Sequence, residues 1–375
     1  MNAKSLNKTA MDDHSPRIGT AQIQLLERLC NVCAVSGNEG EVRSIVLEQI
    51  RPHVDEVKID ALGNVLAVRR GAGENRLRVM LAAHMDEVGF MITGDEENGI
   101  FRFETVGGLD PRQLAGKAVL VGDDHLPGVI GAKPIHLTEG EELSQIITLE
   151  TLRIDVGPEN GKKVKLGDWV SFATRFARLG PSLRAKALDD RLGVATLIEL
   201  VRQAPSNIDL LAAFTVQEEV GLRGARVAAY ALDPQVAFAL DSTPANDLPG
   251  WEQGSCFSEY DCPENIHYNT RLGLGPAIYI ADSATLSDPR LIRHLVDTAE
   301  ALGIPYQFRQ PGGGGTDAGV IHKQRAGIPS VSVSVPGRYA HTAAGLCRLE
   351  DWKNTLALLH AALSRISPQI LAVER

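Results

Sequence analysis

Residues 210–221 read LLAAFTVQEEVG. The first five are continuously apolar, a short run of the kind that forms a strand buried on both faces. Past Thr215 it ends on adjacent carboxylates, Glu218 and Glu219. Two anions at the end of a buried strand repel each other and resist leaving water. Either the strand surfaces into solvent there, or a cation holds the pair. No basic cluster lies nearby in the sequence, so a bound metal ion is the leading candidate for that cation.

The other apolar runs bear on the choice. Leu77 to Ala83 leads into His84-Met85-Asp86-Glu87, Val236 to Leu240 ends on Asp241, and Pro329 to Val335 is followed closely by His341. Between these runs lie helical patterns. They cover Ala21 to Ala34 (stopped by Ser36-Gly37), 42–50, 192–201, Gly224 to Tyr230, 289–302 and Trp352 to Ile366. Val57 to Val68 alternates around Leu62-Gly63-Asn64, a hairpin signal. Strands alternating with helices predict a largely doubly wound α/β sheet, and in such sheets ligands gather beyond the carboxyl ends of the strands. Side by side, those ends bring His84, Asp86, Glu218, Glu219, Asp241 and His341 to one crevice, with Asp189 joining from a helix start. Mixed nitrogen and oxygen donors suit zinc, cobalt or manganese better than magnesium. This many carboxylates allows two ions about 3.5–4 Å apart. Singly, each residue has a plainer reading. A strand-end histidine is commonly a core or surface residue, Asp189 reads as an N-cap, and Asp241 before Ser242-Thr243-Pro244 reads as a turn cap. The joint pattern favours the metal.

From about Thr93 to Gly180 the texture changes. Short runs at Ile100 to Phe103, Ala118 to Val121, Val129-Ile130, Leu152 to Val156 and Trp169 to Phe172 alternate with Gly, Asp and Pro turns, and no long helix is visible. This predicts a small antiparallel β barrel or sandwich. The expected division is a loose tail at 1–17, a catalytic α/β unit at 18–92 and 181–375, and an inserted β-rich domain at 93–180.

The 375 residues carry a net charge of −9, with no basic run longer than Arg69-Arg70. That argues against nucleic acid or an anionic membrane as the main partner. No stretch approaches 18 uninterrupted apolar residues, and the first 17 lack the apolar core of a signal peptide. The five cysteines are irregularly spaced, the usage of a reducing, cytoplasmic compartment. Cys30 and Cys33 share an apolar helical face with Leu25, Leu26 and Leu29, which predicts core residues, and Cys256 and Cys262 flank a polar loop.

At the level of motifs the chain resembles the glutamyl aminopeptidase and tetrahedral aminopeptidase family of dinuclear metallo-aminopeptidases. The segments are AHMDEVGF at 83–90, KALDDRLGV at 186–194, FTVQEEVGLRGA at 214–225, ALDST at 239–243, GGGTDAG at 313–319 and RYAH at 338–341. The resemblance runs from about Leu25 to the final helix. It implies a metal-dependent aminopeptidase-like catalytic domain with an inserted small β-barrel, PDZ-like assembly domain. It implies two divalent metal ions per subunit, zinc or cobalt. His84 and Asp241 would hold one, Glu219 and His341 the other, and Asp189 would bridge them, with a cis peptide to Asp190. Asp86 would orient His84. Glu218 would act as general base and acid toward a metal-bridging hydroxide that attacks the first peptide bond. The implied substrates are peptides with a free N-terminus, and the implied state is a homo-oligomer of dimers, up to a tetrahedral dodecamer.

Three departures from the family pattern stand out. Gly345 occupies the position four residues after His341 where members usually carry Glu. The 250–272 segment, with Trp251, Phe257 and Tyr260, looks longer than usual, and Pro158 to Leu166 looks shortened. The run Gly312 to Gly315 lacks the phosphate-loop pattern. It reads as a loop near the site, with Thr316-Asp317 contacting substrate, or as a plain turn. Two other functions compete. One is a glycosidase using Glu218 and Glu219, which leaves two histidines without a task. The other is a metal-binding assembly protein or a metal-dependent deacylase of another small amide.

Overall fold

The computed structural model of the chain describes residues 16–245, 247, 270–309 and 313–375. Most of the expected tail at 1–17, the 250–272 segment as far as residue 269, Cys256, Cys262 and Gly312 lie outside these residues.

Two helices, α1 (Thr20–Asn31) and α2 (Gly40–Ile50), precede the hairpin β1 (Glu56–Ile59) and β2 (Val65–Arg69). Then comes β3 (Leu77–His84), buried almost throughout. Six short strands follow. They are β4 (Gly89–Asp95), β5 (Ile100–Val106), β6 (Ala118–Val121), β7 (Leu126–Gly131), β8 (Arg153–Asp155) and β9 (Trp169–Phe172). They close into a barrel in the order β4-β5-β8-β7-β6-β9. Its pairs are antiparallel, as the alternating short runs predict. Its core has Phe90 at the centre, with Phe103 and Phe172 each edge-on at 5.2 Å. The segment read as shortened begins with one brief helix, α3 (Gly157–Gly161).

After the barrel come β10 (Ala177–Leu179), β11 (Ser182–Ala185), α4 (Leu188–Arg202), β12 (Ile208–Thr215), α5 (Arg223–Leu232) and β13 (Val236–Pro244). The last described part holds β14 (Ala277–Tyr279), α6 (Pro289–Leu302), β15 (Gln307–Arg309), the short α7 (Ala318–Ile321), β16 (Ser330–Arg338), β17 (Gly345–Arg348) and α8 (Leu349–Arg365). The large sheet runs β1-β2-β12-β3-β13-β16-β17-β11-β10, with β14 and β15 branching from β16. Its four central strands, β12, β3, β13 and β16, are parallel. They are the four apolar runs on which the sequence reading rests.

Helices cover both faces. Leu26, Val46, Leu197 and Leu356 from α1, α2, α4 and α8 pack with Val79, Phe214 and Phe238 in one core. Ala225, Ala228 and Ile321 from α5 and α7 pack with Met80, Ala213 and Ala237 in the other. Because strand side chains alternate faces, His84 follows Met80 and Ala82, and Asp241 follows Ala237. Both therefore emerge on the face covered by α5 and α7. Cys30 is a buried core thiol as expected, whereas Cys33 is only partly buried.

Candidate metal centre

The carboxyl ends of the central strands deliver their polar residues to one place. His84 closes β3 and is 2% exposed. Its Nε2 lies 3.2 Å from Asp189 Oδ1 and 3.9 Å from Asp241 Oδ1. His341 follows β16, and its Nε2 lies 3.1 Å from Glu219 Oε2 and 3.6 Å from Asp189 Oδ2. Asp189 thus turns one oxygen to each imidazole. Its peptide bond to Asp190 is cis. Ligand atoms of His84, Asp189 and Glu219 lie within 4.8 Å of one another, and so do those of His84, Glu218 and Asp241. His341 Nδ1 lies 2.9 Å from the carbonyl of Gly108, just past β5, so the barrel side braces the second histidine.

Asp86 does more than face His84. His84 Nδ1 lies 3.5 Å from Asp86 Oδ1 and 3.3 Å from the Asp86 carbonyl. The shorter bonds to its carboxylate come from elsewhere: Ser36 Oγ at 2.6 Å and the backbone N–H groups of Glu218 and Glu219 at 3.0 and 3.1 Å. Asp317 is buried, and its Oδ2 accepts from Thr215 Oγ1 at 2.6 Å, while Thr316 Oγ1 is 2.6 Å from Ser332 Oγ. Gly345 sits on β17 opposite Ala185 and lines a cavity together with Asp189, Glu219 and His341.

The electrostatics follow from crowding carboxylates in a low-dielectric crevice. Burial, aided by neighbouring carboxylates, pushes the carboxyls of Glu218 and Asp241 well above the usual range. Asp189 is also buried, but its bonds to His341 and His84 outweigh that and hold it well below. The hydrogen bonds that His341 donates to Asp189 and Glu219 raise its imidazole to about 11. Carboxylates in such numbers cannot all ionise together unless positive charge lies among them. Two imidazoles and a set of carboxylates converging from separate strands are the donors a divalent ion of intermediate softness takes. The residues therefore fit a metal ion.

Sequence reasoning missed a second group just behind this crevice. Glu87, 2% exposed, accepts two bonds of 2.7 Å from Lys186 Nζ, one of 3.3 Å from Arg191 and one of 2.9 Å from the N–H of Ala34. Lys186 also donates to the Val32 carbonyl at 2.6 Å. The cluster ties β3 and the start of α4 to the end of α1. Glu87 and Lys186 lie inside the quoted motifs, but nothing in their spacing marks them as partners.

An open α/β sheet with imidazoles and carboxylates gathered at its strand ends is a site suited to a divalent metal ion. The chain belongs to the M42 glutamyl aminopeptidase family, whose model matches residues 63–358. It is similar to the lysyl aminopeptidase of Pyrococcus furiosus, with 32% identity over 92% of this chain and 97% of that protein. Among solved structures it resembles an aminopeptidase of the archaeon Desulfurococcus kamchatkensis, with 35% identity, a TM-score of 0.85 and coverage of 94% and 96%. It also resembles the TET1 peptidase of Pyrococcus horikoshii, described as able to assemble into a tetrahedron or a large octahedral shell. There the identity is 32%, the TM-score 0.78 and the coverage 92% and 100%. The protein is an aminopeptidase, a hydrolase acting on peptide bonds.

Proposed function

We propose that the protein removes N-terminal residues from peptides with two divalent ions, zinc or cobalt, held in this crevice. In this reading His84 and Asp241 hold one ion, Glu219 and His341 hold the other, and Asp189 spans both. The observation that carries it is the division of Asp189, whose two oxygens lie 3.2 and 3.6 Å from the two imidazoles. When bound, such ions acidify a water and stabilise negative charge developing on the peptide carbonyl oxygen. Glu218 is left over from the ligand assignment yet lies among the same atoms. It takes a proton from the attacking water and passes it to the leaving amine. An uncharged α-amine at a substrate's free N-terminus is itself a nitrogen ligand for such an ion, which agrees with exopeptidase action. The glycosidase alternative is not favoured, because Glu219 is engaged by His341 and the pair does not stand free to flank a glycosidic bond.

The barrel strands, from Gly89 to Phe172, support the division into a catalytic unit and an inserted domain near residues 93–180. We read the insert as an assembly domain. Ile135, Leu137 and Ile146, all in one stretch of the insert, expose 76, 61 and 75% of their surface, as residues of a contact surface do. The reading extends to dimers and a tetrahedral dodecamer of this chain. A cytoplasmic site agrees with the three free thiols among the described residues. No described helix is long and apolar enough to cross a membrane.

The test is Glu218→Gln. The variant should retain its metal by elemental analysis and lose about 10²–10⁴-fold in kcat on the best-cleaved member of an aminoacyl-p-nitroanilide panel assayed with Zn²⁺ or Co²⁺. An unchanged rate removes Glu218 from this role. A metal-loaded wild type that cleaves none of the panel favours a deacylase of another amide.

A further inference from the structure

The run at 210–221 ends in a turn whose backbone is held by side chains from three other segments. Val216, Gln217, Glu218 and Glu219 are consecutive, and each N–H finds its acceptor on a side chain. Val216 N–H donates to Asn64 Oδ1 at 3.0 Å, Gln217 N–H to Glu39 Oε1 at 3.2 Å, and Glu218 and Glu219 N–H to the two oxygens of Asp86 at 3.0 and 3.1 Å. Asn64 lies in the β1–β2 hairpin, Glu39 before α2 and Asp86 after β3. The far side of the turn closes on itself. Gly221 and Leu222 donate to the Glu218 carbonyl, and Gly224 donates to that of Val216.

Within this row Gln217 is the strained member. Its φ is +55°, a left-handed conformation that a residue with a Cβ adopts only where its surroundings impose it. Glu39 accepts the Gln217 N–H from an unusual position. It is the N-cap residue of α2, where a short polar side chain ordinarily accepts from the first helical N–H groups, yet its side chain makes no cap bond. The carboxylate turns inward instead, is 2% exposed, and accepts from Gly37 at 2.6 Å as well as from Gln217.

We propose that Glu39 is a positioning residue for Glu218. By accepting the Gln217 N–H, it fixes the left-handed residue that aims the Glu218 carboxylate into the crevice. What it supplies is an acceptor oxygen at the right depth. The inference rests on the reading of Glu218 as general base, and the experiment separates the two.

Kinetics on the same p-nitroanilide are measured for Glu39→Ala, Glu39→Asp and Glu39→Gln, alongside Glu218→Gln. Glu39→Ala and Glu39→Asp, which remove or retract the acceptor, should lower kcat by about 10- to 100-fold. KM should move by less than about 3-fold, with the metal content of wild type. Glu39→Gln presents the same carbonyl oxygen and should restore kcat to within about 3-fold. Where the alanine variant does not fold, the Asp and Gln variants carry the comparison. In the Glu218→Gln background, Glu39→Ala should have no further effect on kcat, since residues acting through one group are non-additive. Wild-type kcat in Glu39→Asp, a Glu39→Gln variant as slow as Glu39→Asp, or metal loss in proportion to kcat overturns the proposal. Full activity in Glu218→Gln alone overturns the underlying reading.

Discussion

Asp86 Oδ1 accepts the backbone N–H of Glu218 at 3.0 Å. Its other oxygen takes the N–H of Glu219 at 3.1 Å and the hydroxyl of Ser36 at 2.6 Å. One fully buried carboxylate therefore sets the backbone beneath both acids of the site. Asp86→Ala leaves three donors without an acceptor. An unsatisfied buried donor costs about 1–3 kcal/mol, and relaxation keeps the effects from adding. The expected loss is roughly 2–5 kcal/mol in urea unfolding, with a fall in kcat on the order of 10²-fold. Asp86→Asn, which keeps one oxygen, should fall between. A wild-type unfolding midpoint in Asp86→Ala would deny the carboxylate this structural task.

The Lys186–Glu87–Arg191 cluster calls for a separate test. Both lysine bonds to Glu87 are 2.7 Å, and the two side chains are 2 and 3% exposed. Removing one partner of a buried ion pair strands the other, which costs about 3–5 kcal/mol. Lys186→Met should show a loss of that size by chemical denaturation. Glu87→Gln added to it should cost less than Glu87→Gln alone, because the Lys186 bonds are already gone and only the Arg191 pair is left to lose. Additive losses in the double variant would mean that the pair is not coupled.

The parts legible in the sequence share one property: each announces itself locally. The run LLAAF, the apolar approach to His84 and the run before Asp241 define strands by themselves, and the rule about strand ends does the rest. The barrel declares itself through the spacing of its turns. Asp86 was legible as a site residue, but its part in holding Glu218 and Glu219 was not. Ser36, Glu39 and Asn64 were not legible as support for the site. Ser36 reads as a helix stop and Asn64 as a hairpin residue, and both readings are locally sound; Glu39 carries none. What they touch lies 50 to 178 residues away, and no periodicity encodes an acceptor for a distant N–H.

Away from the site, Asp288 gives a pH signature. It caps α6, accepting from Arg290 N–H at 3.0 Å and from the Arg290 guanidinium at 2.9 and 2.8 Å. Burial pushes this carboxyl up, but the Arg290 bonds outweigh it and hold the group below its ordinary value of 3.8. A depressed carboxyl stabilises the fold while ionised. Its contribution is complete above the unfolded value and fades as pH falls through the folded one. Asp288→Asn should cost about 1–2 kcal/mol near neutrality. The gap to wild type should stay constant down to roughly pH 5 and narrow below about pH 4. A gap that holds its full size at the acid end would separate the cap from its charge.

Metal removal joins the chemistry to the fold. Asp86, Asp189, Glu218, Glu219 and Asp241 are packed with two histidines at the ends of parallel strands, and the positive charge nearest in the sequence, on Lys186 and Arg191, is taken by Glu87. Ions that bind only the folded chain stabilise it by mass action, by about 4 kcal/mol at a thousandfold excess over Kd. Dialysis against a chelator should therefore abolish p-nitroanilide cleavage and lower the thermal midpoint together. Zn²⁺ or Co²⁺ should restore both along one titration curve. His341→Ala, which removes a ligand assigned to a single ion, should bind fewer equivalents than wild type by elemental analysis. If chelation abolished turnover but left the midpoint unmoved, the ions would not be what allows these carboxylates to share one crevice.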